Sequence, residues 1–132
     1  MRDIEFRAKL NKSKGGKSKN DWIFGDLVHN TLTVSICKAS PLQAGARRFY
    51  KVNPQTIGQY IGLEDNDKQK VFEGDILYDP TDSDNGLYVV EFMDGEFVLI
   101  NDDIIYEIEQ VHFLHIIGNI HDNKELLTNG GN

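Results

Sequence analysis

Carboxylates are concentrated in the stretch IGLEDNDKQKVFEGDILYD, residues 61–79, and one pair has a spacing that could do chemistry. Glu73 and Asp75 flank Gly74, and residues two apart on a β-strand point to the same side. Such a pair could act in acid–base catalysis or bind Mg²⁺, so a metal-dependent hydrolase is one hypothesis. Catalysis needs a second group of complementary chemistry, and the nearby sequence offers none. A structural role is therefore favoured, in which the carboxylates accept backbone N–H groups where the strand begins.

The triplet Asp-Asn-Asp at residues 65–67 resembles part of a cation-binding loop. A calcium loop of the EF-hand type needs a glycine at the sixth position and a bidentate glutamate at the twelfth, but Lys-Gln-Lys follows the triplet here. The triplet is instead predicted to be a turn whose side chains cap its own backbone. The aspartates of residues 79–84 are likewise predicted to lie in a solvated hairpin loop, because Pro80 lies among them and Asn85-Gly86 follows.

Basic residues near the N-terminus raise the hypothesis of nucleic-acid binding. Lysines of residues 11–20 could contact phosphates, and Trp22 or Phe24 could stack on a base. The candidate interaction residues are Lys12, Lys14, Lys17, Lys19, Trp22, Arg47 and Arg48. A phosphate-binding P-loop is excluded, because that motif would need a glycine in place of Asn11. The acidic remainder of the chain would repel DNA, so this hypothesis stays an alternative.

Charge is divided unequally along the chain. Residues 1–51 contain 11 Lys and Arg against 4 Asp and Glu, whereas residues 52–132 contain 3 against 17. The two parts are electrostatically complementary, either within one chain or between copies. The division predicts a homo-oligomer, in which copies dock head to tail in a ring or share a two-fold interface.

No other residues form a recognisable catalytic or metal-binding set. His112 and His115 are three apart, which places them on opposite faces of a strand and argues against a shared metal. The single Cys37 cannot form an internal disulfide and is interpreted as a small buried residue. Ser35 has no partner that the sequence identifies. We therefore expect no enzyme activity, no cofactor and no metal.

Length and hydropathy limit the class of protein. A chain of 132 residues is long enough for one main core with an appendage. It contains no apolar run of about 18 to 20 residues, the length of a membrane span, and its first residues, MRDIEFRAKL, are unlike a secretory signal. A soluble cytoplasmic protein without a membrane partner is expected.

Alternation of polar and apolar residues predicts strands. Residues 1–50 are predicted to form a basic β-unit that begins with a strand over Ile4, Phe6 and Ala8, and residues 11–20 form a flexible loop in it. The boundary is placed within residues 38–48, around Pro41 and Gly45, or slightly later.

Residues 51–121 are predicted to form an acidic, antiparallel SH3-like barrel of five short strands. Asp94-Gly95 matches a type I′ hairpin turn and sets a register in which Phe92 faces Phe97 and Val90 faces Leu99. This apolar face is expected to point into the core. Residues 122–132 are predicted to form a short helical turn and a frayed tail, since Asp122 and Glu125 have capping-box spacing.

Three segments together resemble the YopX family of small proteins encoded by bacterial phages and prophages. They are MRDIEFRA at the start, QYIGLEDNDKQKVFEGDILYD in the middle and IIGNIHDNKELL near the end, in the family's order and spacing. The matching motif positions, for which structural roles are expected, are Gly62, Glu73, Gly74, Asp75, Gly118 and Asn119. The resemblance implies a mostly β, self-associating protein of the bacterial host cytoplasm, and it assigns no activity.

The leading functional hypothesis is a non-catalytic phage or prophage accessory protein that acts as a binding or assembly module. It is expected to self-associate and to bind an unknown phage or host protein. The alternatives are nucleic-acid association through the lysine-rich loop and a metal-dependent hydrolase that uses Glu73 and Asp75.

Overall fold

The protein is mainly β, as its alternating sequence pattern predicts. A computed structural model describes residues 3–39 and 45–130. The chain divides into two compact units, residues 1–60 and 61–132, and the strands of both pair antiparallel. Pro41, in the predicted boundary segment, lies outside the described residues.

The first unit is built around a curled sheet. Its strands are β1 (Phe6–Lys9), β2 (Trp22–His29), β3 (Val34–Ala39), β4 (Arg47–Lys51) and β5 (Gly58–Glu64), the last of which continues into the second unit. The strands lie in the order β4-β3-β2-β1-β5. An isolated bridge between Leu10 and Val52, just beyond β1 and β4, brings these two strands together at one point.

One face of this sheet forms the core of the first unit. Ala8 faces Ile23, Leu27 faces Ile36, and Ile36 faces Tyr50, so these side chains share a side. Leu27 is partly buried and the others are buried. Because burying an aliphatic side chain contributes about 1.5 to 3 kcal/mol, this face holds the unit together.

The two units divide after Tyr60, later in the chain than the predicted boundary between residues 50 and 51. Val52 is buried in the core of the first unit, and Ile57 packs against the same cluster. The short 3₁₀ helix Pro54–Thr56 lies between them. These apolar contacts make residues 52–57 part of the first unit.

The second unit contains the end of β5 and the remaining strands. These are β6 (Lys70–Phe72), β7 (Asp75–Tyr78), β8 (Leu87–Met93), β9 (Glu96–Asn101), β10 (Ile104–Glu107) and β11 (His115–Asn119). A sheet in the order β10-β9-β8-β7-β11 provides Leu77, Val90 and Leu99 to the core. Ile61 from β5 and Val71 from β6 pack against them.

The β8–β9 hairpin confirms the predicted turn and register. Asp94-Gly95 has φ angles of 52° and 84°, as a type I′ turn requires. Phe92 faces Phe97, and Val90 faces Leu99. Val90 and Leu99 are buried, but Phe92 is 55% exposed. The prediction that this whole face points into the core was therefore wrong at its aromatic end.

The predicted SH3-like barrel is not closed. Among the described residues, the sheet of the second unit ends at β10 on one side and β11 on the other. The chain between these strands forms a 3₁₀ helix, Ile108–Phe113, within the part of the chain that was predicted to form the barrel. Val111 and Leu114 are buried against the core, so this segment covers apolar surface that closure would have covered.

The predicted C-terminal helical turn is present as α1, Lys124–Gly130. It begins after Asn123, whose backbone oxygen accepts a hydrogen bond from the Leu126 N–H at 3.0 Å.

No helix in the described part of the chain has the length and apolar character that crossing a membrane demands.

Candidate functional site

Asp65 forms the centre of the connection between β5 and β6. Its side chain is buried, with 2% exposure. Oδ1 accepts the N–H groups of Asp67 and Gln69 at 2.8 and 2.9 Å, and Oδ2 accepts the Ile116 N–H at 3.0 Å. Hydrogen bonds from several backbone N–H groups offset the free-energy cost of burying a charged carboxylate. The predicted self-capping turn is therefore what the structure shows, and Asp65 also fixes the start of β11.

The neighbouring polar residues attach the same turn to the segment before β11. The Asn66 N–H donates to the Leu114 oxygen at 2.9 Å, and Asn66 Nδ2 donates to the His112 oxygen at 3.3 Å. Asp67 Oδ2 lies 2.8 Å from His115 Nδ1. His112 lies in the 3₁₀ helix rather than on a strand, which corrects the prediction for this residue. These contacts link distant parts of the second unit.

Asp75 has a comparable role at the start of β7. It is 2% exposed, and its Oδ2 accepts the Phe72 N–H at 2.8 Å, across the turn that contains Gly74. Gly74 has a φ of 89°, a conformation that other L-residues rarely adopt, and a Cβ there would lie 3.4 Å from Ile120. Glu73 is half-buried beside it. Asp75 thus accepts a backbone N–H where the strand begins, as the structural interpretation predicted.

The Gly118-Asn119 motif forms the turn after β11. Asn119 Oδ1 accepts the N–H groups of His121 and Asp122, both at 3.0 Å. Asn123 Oδ1 accepts the Asn119 N–H at 3.1 Å. A Cβ on Gly118 would lie 2.4 Å from that Asn123 oxygen, so only glycine fits without displacement. Gly62, the remaining motif glycine, has a φ of 90° in β5. The motif glycines and Asn119 thus satisfy backbone requirements.

The acidic and histidine side chains of the second unit do not lie together as a metal centre among the described residues. Within residues 3–39 and 45–130, no group of three or more His, Cys, Asp or Glu side chains is placed to hold a metal ion. Asp65 and Asp75 are buried, and both accept hydrogen bonds from backbone N–H groups at turns.

The lysine-rich segment folds into a small hairpin in the first unit, which we call the lysine hairpin (residues 11–20). The backbone groups of Lys14 and Lys17 bond each other reciprocally at 2.9 and 3.0 Å, around Gly15 and Gly16. Both glycines have positive φ, as a type I′ turn requires. The Lys19 N–H also donates to Ser13 Oγ at 3.2 Å. The predicted loop therefore has regular hydrogen bonding while staying largely solvated.

The lysine hairpin lies against β4. Lys14 Nζ donates to the Phe49 oxygen at 2.7 Å and lies 5.8 Å from the centre of the Tyr50 ring. A Cβ on Gly15 would lie 3.1 Å from Arg48 Nη1. A lysine that binds a strand's outer carbonyl also blocks that edge from pairing with another strand. The structure thus brings Lys14 and Arg48 together, which the sequence did not predict.

The other candidate interaction residues lie elsewhere on the same sheet. Trp22 is half-buried, with the Arg7 guanidinium 4.7 Å and Lys9 Nζ 5.6 Å from its ring centre. These cation–π contacts hold the indole within the unit. Arg47 Nη1 lies 3.7 Å from Cys37 Sγ and 3.3 Å from Asp26 Oδ2. The Cys37 hydrogen bond, followed by Asp26, raises the pKa of Arg47 above its ordinary value.

An open pocket lies beside the lysine hairpin, and we call it the basic pocket. Its volume is about 440 Å³, and it is lined by Leu10, Asn11, Lys12, Ser13, Lys14 and Lys51. A second pocket of about 330 Å³ shares Asn11 and Lys51 and continues towards the β2–β3 turn. Sequence reasoning missed Lys51 as a site residue. Its signal was the alternation in Arg47–Lys51, where buried Tyr50 places its neighbours on the outer side.

Comparison with known proteins agrees with this architecture. The structure is similar to the crystal structure of protein EF1440 from Enterococcus faecalis, with a TM-score of 0.58 and 22% sequence identity over 96% of this chain and 99% of that one. This likeness concerns the fold. Comparison with curated proteins found no match. The family model described as YopX protein matches residues 6–128, nearly the whole chain, and the protein therefore belongs to the YopX family.

Proposed function

We propose that this YopX protein is a non-catalytic binding and assembly module that self-associates through charge complementarity. The observation that carries the proposal is the separation of charge between the two compact units. The 11 basic and 4 acidic residues of residues 1–51 all lie in the first unit, and residues 52–60 add no charge. The 3 basic and 17 acidic residues that follow all belong to the second unit. Each unit therefore carries a strong net charge of one sign.

The buried carboxylates support a non-catalytic role. Asp75, one of the two carboxylates of the hydrolase hypothesis, accepts a backbone N–H from a buried position, as Asp65 does. A catalytic carboxylate must instead reach a reacting atom and exchange a proton with it. The hydrolase hypothesis thus gains no support from the geometry. A role as an accessory protein of a phage or prophage rests on the family resemblance.

Light scattering after size exclusion at about 0.05 M and about 0.5 M salt tests the proposal, because exposed charges interact over about 14 Å at the lower concentration and about 4 Å at the higher. We expect a multimer at low salt and a smaller species at high salt. A species with the mass of one chain at both salt concentrations would refute self-association.

Nucleic-acid binding through the lysine hairpin is a second candidate function. It is favoured by the position of the lysine hairpin against β4, where Lys14 bonds the Phe49 oxygen and Gly15 lies beside Arg48, so that cations from two segments lie close together. A groove lined by cations is the electrostatic element of single-strand binding surfaces. Fluorescence anisotropy with a labelled single-stranded oligonucleotide at low salt would test it. Equal anisotropy for the wild-type protein and Arg48→Glu would count against this candidate.

A further inference from the structure

The basic pocket has the size and lining of a recognition site for an acidic segment. Its volume of about 440 Å³ falls within the range of about 300 to 1,000 Å³ typical of binding pockets. Leu10 is among the lining residues but is only 1% exposed, and Lys12 and Lys51 line the pocket as exposed residues. Lys14 is held by the Phe49 oxygen. The pocket therefore offers lysine cations and the aliphatic carbons that carry them.

The turn between β9 and β10 has the matching chemistry, and we call it the acidic turn. Asp102 and Asp103 form its tip, both exposed, with φ angles of 49° and 65°. Ile104 and Ile105 follow directly and are 54% and 55% exposed. Two carboxylates beside two exposed isoleucines complement a pocket lined by lysine cations and their aliphatic carbons. Solvent-exposed isoleucines in succession on an edge strand are also a common feature of docking surfaces.

We propose that the acidic turn of one copy inserts into the basic pocket of a second copy. This inference rests on the proposed self-association and specifies its surfaces. Lys12 and Lys51 bind the carboxylates of Asp102 and Asp103, while Ile104 packs against the aliphatic carbons of those lysines. The two surfaces are different, so the contact is heterologous, and its repetition builds a ring or a filament. Opposite charges across the contact provide specificity and fast association, and salt weakens both.

A charge-exchange experiment tests the contact in the full-length protein. The pocket variant is Lys12→Glu/Lys51→Glu, and the turn variant is Asp102→Lys/Asp103→Lys. In each variant alone, the pocket and the turn carry charges of the same sign. We therefore expect the dissociation constant for self-association to rise by at least about tenfold. In an equimolar mixture, alternating copies of the two variants place every pocket against a turn of opposite charge. Light scattering should then show multimers again, as a filament or as rings with an even number of copies.

Matched controls separate this contact from general electrostatics. Lys17→Glu/Lys19→Glu makes the same charge change in the lysine hairpin but outside the pocket lining. Asp94→Lys/Glu96→Lys does so at the β8–β9 turn. If these controls weaken assembly as much as the pocket and turn variants, the specific contact is refuted. Lysine could disrupt the turn itself. Asp102→Asn/Asp103→Asn controls for this, because it removes both charges and asparagine adopts positive φ more readily.

The outcomes distinguish the contact from the proposed function. A wild-type protein that is monomeric at low salt refutes self-association and the contact together. A multimer that survives in both the pocket and turn variants refutes the contact and leaves self-association standing. Loss of the multimer in each variant, with recovery in the mixture, establishes the contact between copies, because pairing within one chain would not be restored by mixing.

Discussion

The turn at Asp65 and the turn at Asp102-Asp103 have similar compositions and opposite roles. Both place adjacent or nearly adjacent aspartates at a tight connection between strands of the second unit. The Asp65 carboxylate is buried and accepts backbone N–H groups on both oxygens. Asp102 and Asp103 are exposed at the tip of their hairpin. Acidic composition alone therefore does not distinguish a structural carboxylate from one available to a partner.

Burial and donor geometry make the distinction. The N–H groups bonded to Asp65 lie in partly buried positions and would lose their acceptor without it, and leaving a buried donor unsatisfied costs about 1 to 3 kcal/mol. Water can bond the backbone around Asp102 and Asp103, so the fold depends little on their charge. The turn at Asp65 stabilises the second unit itself. The turn at Asp102-Asp103 leaves its carboxylates exposed, where a partner could bind them.

The largest expected effect comes from Asp65→Ala. Three backbone donors lose their acceptor in a buried site, so the free energy of unfolding should fall by about 3 to 5 kcal/mol. Urea denaturation followed by circular dichroism measures the change. Asp67→Ala is the matched control, because this exposed side chain bonds only to the partly exposed His115 among the contacts described above. A loss below about 1 kcal/mol for Asp65→Ala would contradict the structural role.

The fold was predictable where local rules decide it. The Asp94-Gly95 turn requires positive φ at both central residues, and this requirement alone fixed the register of Phe92 with Phe97 and of Val90 with Leu99. Closure of the sheet depends on contacts between residues distant in sequence. Residues 108–113 are apolar enough for a strand, but they form a 3₁₀ helix that places Val111 over the core. Apolar content could not separate these two outcomes.

The sequence predicted which residue types stabilise the turns, but not which distant residues they contact. The sequence correctly predicted that the acidic triplet caps its own turn, because aspartate side chains readily bond the backbone two residues on. It could not show that Asp65 also bonds Ile116, 51 residues away. The basic pocket depends in the same way on Leu10 lying beside Val52, a bridge that brings Lys51 next to the lysine hairpin.

Changing the exposed Asp103 to glycine tests whether its carboxylate has any structural role. Asp103 has a φ of 65°, which favours glycine, so Asp103→Gly should relieve backbone strain. The greater freedom of glycine in the unfolded chain offsets part of the gain, which leaves a stabilisation of about 0.5 kcal/mol. Asp65→Gly should destabilise strongly, in contrast. Urea denaturation at high salt, where self-association is weakest, measures both variants. A destabilisation by Asp103→Gly of more than about 1 kcal/mol would assign that carboxylate a structural role.

The smallest expected effect concerns Asp79, a half-buried residue that shares features of both turns. Its Oδ1 accepts hydrogen bonds from Thr81 Oγ1 at 2.6 Å and from the Thr81 N–H at 2.9 Å. The side-chain bond, followed by the backbone bond, lowers the pKa of Asp79 below its ordinary value of 3.8. Because the folded-state pKa is lowered, the associated stability is present above the unfolded pKa and is lost as pH falls through the folded value.

Removing the Thr81 hydroxyl separates these two contributions. Thr81→Val keeps the backbone donor, so the pKa of Asp79 should rise part of the way back towards 3.8, whereas Thr81→Ser should leave it lowered. NMR titration of the Asp79 carboxyl carbon between about pH 2 and 6 measures this directly. An unchanged pKa in Thr81→Val would show that the backbone donor is sufficient. In that case the half-buried Asp79 is held as the buried Asp65 is, by the backbone alone, and only the degree of burial separates their effects on stability.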